Sequence, residues 1–274
     1  MTAAILTTSA AIGHAVVLAA AFVLSLYVWP GALTADRNNP TVVKQRIVSA
    51  SVVALLAPLS VQWAIAPAQL PPFGLAELAS TVFRSAATLA VFATLFLGPL
   101  VHDFVVQGFA VPFPPAATLF NARDLLVAPL AEEVVYRWAP FVLLHAAGHG
   151  GWMLLAVTPV LFGASHLHHY FQMTRIQGVP QRQALGAILF QGAYTTVFGA
   201  LCIAVIMSTQ SLCACFAAHV FCNSMGMPDF GEIFDTGVAR FATSRRATIA
   251  GAVLAVPAFV ALSYLPATPV LVVL

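Results

Sequence analysis

Glu132 and Glu133 stand side by side inside an apolar stretch, Leu125 to Ala147, that is long enough to cross a membrane. Translocon scales put one acidic residue at mid-bilayer at about 2.5 to 3.5 kcal/mol, so an adjacent pair followed one helical turn later by Arg137 marks a site. On a helix Glu133 and Arg137 are four residues apart and can pair. Glu132 is turned about 100° away. Its own partner at that spacing is Tyr136, a hydrogen-bond donor but not a cation. Glu132 is thereby left to face a cavity, where a carboxylate can serve as general base. The plainer reading, a buried Glu–Arg pair that fixes helix packing, accounts for Glu133 and Arg137 but not for Glu132.

Two further apolar segments carry imidazoles. One holds Phe162 and His166, followed by His168 and His169, and the other holds His219 and Asn223. His219 and Asn223 are again four apart and share a helix face. A single histidine in an apolar helix is ordinarily a hydrogen-bonded core residue. Intramembrane ionisable groups on several segments instead face an interior and partner one another. His168 and His169 fall nearer a span end and read as interfacial or supporting groups.

Chemistry narrows the options without closing all of them. Ser165 and Ser224 adjoin the histidines, but a neighbouring helical residue points elsewhere, which disfavours a serine nucleophile. Cys222 lies off the His219 face and lacks an activating partner for a thiolate. Glu and His are competent zinc ligands, so a zinc-dependent membrane protease stays open, although no HExxH motif occurs. The reading that uses every residue is hydrolysis of an amide without a covalent intermediate. Glu132 with His166 activates water, and His219 and Asn223 stabilise the oxyanion. That chemistry calls for no cofactor.

The composition sets what must position these groups. Hydrophobic residues make up 61% of the 274 and charged residues only 7%, against about 25% charged in a soluble domain. The chain therefore reads as an all-α, polytopic membrane bundle, and its net charge of +2 gives no footprint for nucleic acid. A crossing helix needs about 20 apolar residues. Eight candidates emerge, near 11–29, 47–66, 78–101, 123–147, 152–170, 184–207, 211–227 and 247–268. They are separated by Pro30-Gly31, Pro67 through Pro72, Pro112 to Pro115, Gly148 to Gly151 and Gln177 to Gln183. The segment 102–122 is ambiguous and could include an interfacial piece. Asp124 is expected at the start of the fourth span, where a helix N-terminus favours negative charge. The first apolar run reads as a span rather than a cleaved signal, since it is long and no basic residue precedes it. The four cysteines lack metal spacing and read as buried, reduced thiols. One integral-membrane domain, 1–274, with its core at about 123–230, is expected.

Orientation follows from the basic residues. Arg37, Lys44 and Arg46, then Arg175 and Arg182, then Arg240, Arg245 and Arg246 all fall in odd-numbered connections. That side is cytosolic by the positive-inside rule. Such connections could attract anionic headgroups or the negative C-terminal carboxylate of a substrate.

The three signatures together carry a resemblance. EExxxR (Glu132, Glu133, Arg137), FxxxH (Phe162, His166) and HxxxN (His219, Asn223) are similar to the CAAX protease and bacteriocin-processing superfamily of intramembrane glutamate proteases. Longer strings, Val127 to Glu133, Phe162 to His169, Tyr194 to Ala200, His219 to Phe230 and Arg37 to Arg46, resemble its type II CAAX prenyl protease branch. The resemblance spans about 123–230 in order. It implies a multi-pass protein of the endoplasmic reticulum membrane that removes the last three residues of farnesylated or geranylgeranylated CaaX proteins, such as small GTPases of the Ras type. It implies that Glu132 and His166 activate water, His219 and Asn223 form the oxyanion site, and Glu133 and Arg137 support Glu132. A buried prenyl chain gains about 0.8 kcal/mol per CH₂ in lipid, which would bring the scissile bond to the bilayer. Ala131 and Asp124 stand where Thr and Asn are common in the family, and neither change touches the expected chemistry. A non-catalytic membrane scaffold would have lost a signature residue. A proton-coupled transporter, the other rival, would more often show repeats and broken helices.

Overall fold

The computed structural model describes residues 6–65, 75–108, 118–227 and 230–264, and every regular element among them is helical. In chain order these are α1 (Thr8–Ser25), α2 (Pro40–Ala64), α3 (Leu75–Leu95), α4 (Leu97–Gln107), α5 (Leu119–Ala122), α6 (Ala128–Glu133), α7 (Ala139–Ala146), α8 (Trp152–Ser165), α9 (His169–Phe171), α10 (Gln181–Thr209), α11 (Leu212–Met225), α12 (Phe230–Ile233) and α13 (Ala242–Leu262). The described residues form two compact units, one within 1–71 and 118–204, the other within 72–117 and 205–271. Expectations that fall on 66–74, 109–117, 228–229 and 265–274, including the proline breaks near 70 and 114, lie outside the described residues.

Among the described residues four helices, α1, α2, α10 and α13, are long and apolar enough to cross a membrane, and α3 with α4 makes a fifth if that bent pair is one span. This defines an all-helical, multi-pass membrane protein. The remaining expected spans differ from plain crossing helices for local reasons. Over 78–101 the helix bends by 68° between α3 and α4. Pro99 explains the bend, because it lacks an N–H and its ring crowds the carbonyl of Leu95. α8 and α11 have 14 residues each, about 21 Å at 1.5 Å per residue, against a hydrocarbon core of about 30 Å.

In the first unit, capping sets where the elements begin. α2 starts at Pro40 rather than at 47, because Asn39 accepts from the Thr41 N–H and Pro40 occupies the first turn, where a missing donor costs nothing. Lys44 and Arg46 thus belong to the helix, not to the connection. The stretch 119–146 is capped by Thr118, which accepts from the Asn121 N–H. It contains two π-helical turns, Arg123–Val127 and Val134–Trp138. Each runs into an Ala-Pro step, Ala128-Pro129 and Ala139-Pro140. The wide turn relieves the clash of each proline ring with the preceding turn. The Ala128 N–H donates to the Arg123 carbonyl, and the Ala139 N–H to that of Val134. The short α6, which carries both glutamates, is held between these turns, and π-turns recur at functional sites. Asp124 therefore does not start the helix. It lies in the first π turn and accepts from Arg123 Nε at 2.6 Å and Nη2 at 2.9 Å.

α8 packs against α10 through Gly163. A Cβ there would stand 2.9 Å from the Gly192 carbonyl oxygen and collide with Thr196 Oγ1. Gly163→Ala should destabilise the protein by about 1–3 kcal/mol, as overpacking does. Adding Thr196→Ala should restore only part of this, because the Gly192 carbonyl remains. Detergent melting of the three variants measures it, and an unchanged single variant would refute the close approach.

The second unit contains α3, α4, α11 and α13. Gly98 lets α4 approach α13 at Thr248, and Gly251 lets α13 approach the end of α3, since a Cβ there would strike the Thr94 carbonyl. Arg84, only 1% exposed, donates through Nη1 to the carbonyl of Thr209. Thr209 ends α10, and a cation suits a helix C-terminus. This explains an arginine inside an apolar segment without assigning it chemistry.

Candidate active site

A cavity of about 110 Å³ opens in the first unit. Glu132 and His166 both line it, together with Arg37, Arg46, Arg123 and Asp124. Ser165, His168 and His169 also border it, among apolar groups of α1 and α2. The structure thus brings the carboxylate and the imidazole singled out from the sequence to one space.

His166 is oriented by its own backbone neighbourhood. It caps the C-terminal end of α8, and its Nδ1 lies 2.9 Å from the Phe162 carbonyl. A carbonyl only accepts, so Nδ1 carries the proton in this bond and Nε2 is the basic nitrogen. The Phe162 ring stands edge-on to the imidazole at 4.9 Å. The FxxxH spacing thus fixes both the tautomer and the tilt of the ring. Ser165 turns its hydroxyl back to the Phe162 carbonyl at 2.6 Å, which suits a structural role rather than a nucleophile.

Behind Glu132 lies a closed charged layer. Glu133 and Arg137 are both fully buried, with Nη1 and Oε1 3.4 Å apart. The guanidinium carbon sits 3.7 Å from the centre of the Phe162 ring and 5.6 Å from that of Phe198. One phenylalanine therefore contacts both the arginine of the pair and the cavity imidazole. Tyr136 is buried between Phe22 and Phe162 and donates to the Ala19 carbonyl at 3.3 Å. The Glu133 pairing expected from the spacing is present.

The polar wall extends further than the sequence reading placed it. His168 and His169 border the cavity, with rings 4.0 Å apart. His168 Nδ1 donates to the Ser165 carbonyl at 2.6 Å. Arg37 approaches His169 Nδ1 at 3.5 Å. Arg123 donates to the Arg37 carbonyl at 3.3 Å and to Asn38 at 3.1 Å. Burial, and next the charge of Arg123, lower the pKa of the Arg37 guanidinium. In the sequence Arg37 and Arg46 oriented the chain and stood in a basic connection able to attract anions, with no place beside Glu132 and His166 assigned to them. The signal for them was their position beside the Asn39-Pro40 cap, which brings the start of α2 to the cavity.

His219 and Asn223 lie on α11, in the second unit, at the expected spacing. Ser211 caps that helix by accepting from the Ala214 N–H at 3.2 Å. His219 is buried and Asn223 exposed. No cysteine is in a disulfide, and Cys202 and Cys215 are buried as expected, whereas Cys213 is exposed.

A helical membrane protein with a carboxylate and an oriented imidazole sharing one polar cavity has the elements of a hydrolase. Residues 114–225 match the family model described as type II CAAX prenyl endopeptidase Rce1-like. The probable CAAX prenyl protease 2 of Schizosaccharomyces pombe is 30% identical over 228 residues, covering 78% of this chain and 80% of the relative. CAAX prenyl protease 2 of Homo sapiens is 33% identical over 229 residues, 77% of this chain and 69% of the relative. No solved structure matches the chain. The chain belongs to the Rce1-like family of type II CAAX prenyl endopeptidases, and its activity is that of a CaaX endopeptidase, a hydrolase.

Proposed function

We propose that the protein removes the aaX tripeptide from farnesylated or geranylgeranylated CaaX proteins, small GTPases of the Ras type among them. Glu132 and His166 Nε2 hold a water molecule between them. Glu132 takes its proton as the oxygen adds to the carbonyl of the prenylated cysteine, and that proton then goes to the departing amine. His219 and Asn223 donate to the oxyanion. Glu133 and Arg137 hold α6 so that Glu132 faces the cavity. The single domain 1–274 crosses the endoplasmic reticulum membrane about eight times, with broken and short helices among the crossings. No cofactor enters this chemistry.

One observation carries the reading: Glu132 lines the same cavity as an imidazole whose Nδ1 is tied to the Phe162 carbonyl. The test uses purified protein and two peptides ending in the same CaaX sequence, one farnesylated and one unmodified. Release of aaX from the farnesylated peptide is expected, with far slower release from the other and no loss of rate with a chelator. Equal cleavage of both would remove the lipid from recognition, and chelator sensitivity would replace the carboxylate mechanism by a metal-dependent one.

A further inference from the structure

The cavity wall holds more positive charge than the proposed hydrolysis uses. Three guanidiniums, Arg37, Arg46 and Arg123, face two carboxylates, Asp124 and Glu132. Arg123 is committed. Its Nε and Nη2 grip Asp124, and its Nη1 reaches the Arg37 carbonyl and Asn38. Arg46 is 7% exposed, and its Nε and Nη2 have no hydrogen-bond partner among the described residues. It stands 5.5 Å from the Tyr27 ring centre. Among the described residues the Arg37 guanidinium approaches His169 at 3.5 Å, with the charges of Asp124 and Asp36 acting on it from further off. Neither arginine forms an ion pair among the described residues. A buried guanidinium without an anion is costly, and planar forks of this kind fit a carboxylate.

We propose that Arg46 and Arg37 bind the free C-terminal carboxylate of the substrate, and so measure three residues from the cut bond. The inference rests on the proposed reading of Glu132 and His166. In that reading the leaving group is a tripeptide, whose extended length is about 10 Å at 3.3–3.6 Å per residue. The anion must then lie within that reach of the attacked carbonyl, and the two arginines border the same cavity as Glu132 and His166. Arg123 is a positioning residue, since it holds the Arg37 backbone. The site accounts for endopeptidase action confined to a chain terminus, because an internal sequence offers no carboxylate there.

The test separates binding from cleavage. A fluorescent farnesylated CaaX peptide, as free acid or as C-terminal amide, is titrated in uncharged detergent against the full-length Glu132→Gln protein. The acid is expected to bind about 10- to 100-fold more tightly, the range for hydrogen bonds to a charged group. Adding Arg46→Gln or Arg37→Gln should bring the acid-to-amide ratio towards one. Arg46→Lys guards against misfolding, since it keeps the charge but loses the fork, and should give an intermediate ratio. Equal binding of acid and amide overturns the proposal, as does a ratio indifferent to both arginines. A third arm adds phosphatidylserine. If the arginines instead govern an effect of that lipid and not the acid-to-amide ratio, the anion is a headgroup and the proposal fails. Because binding is read without turnover, failure of the hydrolytic reading appears separately, as absence of cleavage by the unmodified protein.

Discussion

Glu132→Gln should reduce the turnover of a farnesylated CaaX peptide by about a hundred- to ten-thousand-fold, the range attributed to a positioned general base. The amide keeps the size and hydrogen-bonding reach of the carboxylate but accepts no proton from water. Glu132 is only partly buried and lines the cavity, so the variant should fold and melt as the parent does. The loss should therefore fall on kcat, with KM little changed, because the prenyl group and the peptide terminus are held elsewhere. His166→Ala should give a loss of similar size, and the double variant little more, since groups acting on one water molecule do not add. Cleavage of peptide and melting in detergent are measured on the same preparations. A Gln variant that cleaves at the parental rate would exclude Glu132 as the base, whatever its place in the cavity.

Why the pair Glu132 and His166 could be read from the sequence, and Arg46 could not, has a physical reason. A carboxylate in an apolar run is so costly that its presence is informative by itself, and the FxxxH spacing is a one-turn relation that a helix end preserves. The Glu133–Arg137 pair was legible for the same reason, as i, i+4 geometry is local. Arg46 stands in a segment that hydropathy assigns to a connection. Only the Asn39-Pro40 cap moves it into α2 and then into the cavity wall. The all-helical membrane class followed from the composition and the length of the apolar runs, but the individual spans did not. Window hydropathy treats 78–101 and 123–147 as uniform rods and does not register that Pro99 bends the first and that the Ala-Pro steps widen turns in the second. His168 and His169 were assigned to a span end, whereas the short turn His166–His168 that follows α8 brings them to the cavity.

Arg137→Leu should destabilise the protein by about 3–5 kcal/mol, the cost of stranding one member of a buried ion pair. Glu133 and Arg137 are both wholly buried. Removing the guanidinium also leaves the Phe162 ring without the cation 3.7 Å from its centre, a contact worth about 0.5 to 2 kcal/mol depending on desolvation. Arg137→Lys should recover part of the loss, because it restores charge but not the flat guanidinium that lies against Phe162 and Phe198. The informative variant is the double one, Glu133→Leu with Arg137→Leu. It removes both charges, and replacing a buried pair by apolar groups is often neutral or better, so it should melt well above Arg137→Leu alone. Activity should not follow stability. Phe162 also supplies the carbonyl and the ring edge that orient His166, so a change in its packing reaches the imidazole even where the fold is regained. The expected pattern is recovered melting with kcat still depressed in the double variant. If the double variant is as unstable as Arg137→Leu, the ion pair is not what the single variant breaks. If its kcat returns with its stability, Glu133 and Arg137 serve packing alone, and their proposed hold on the cavity side of α6 must be given up.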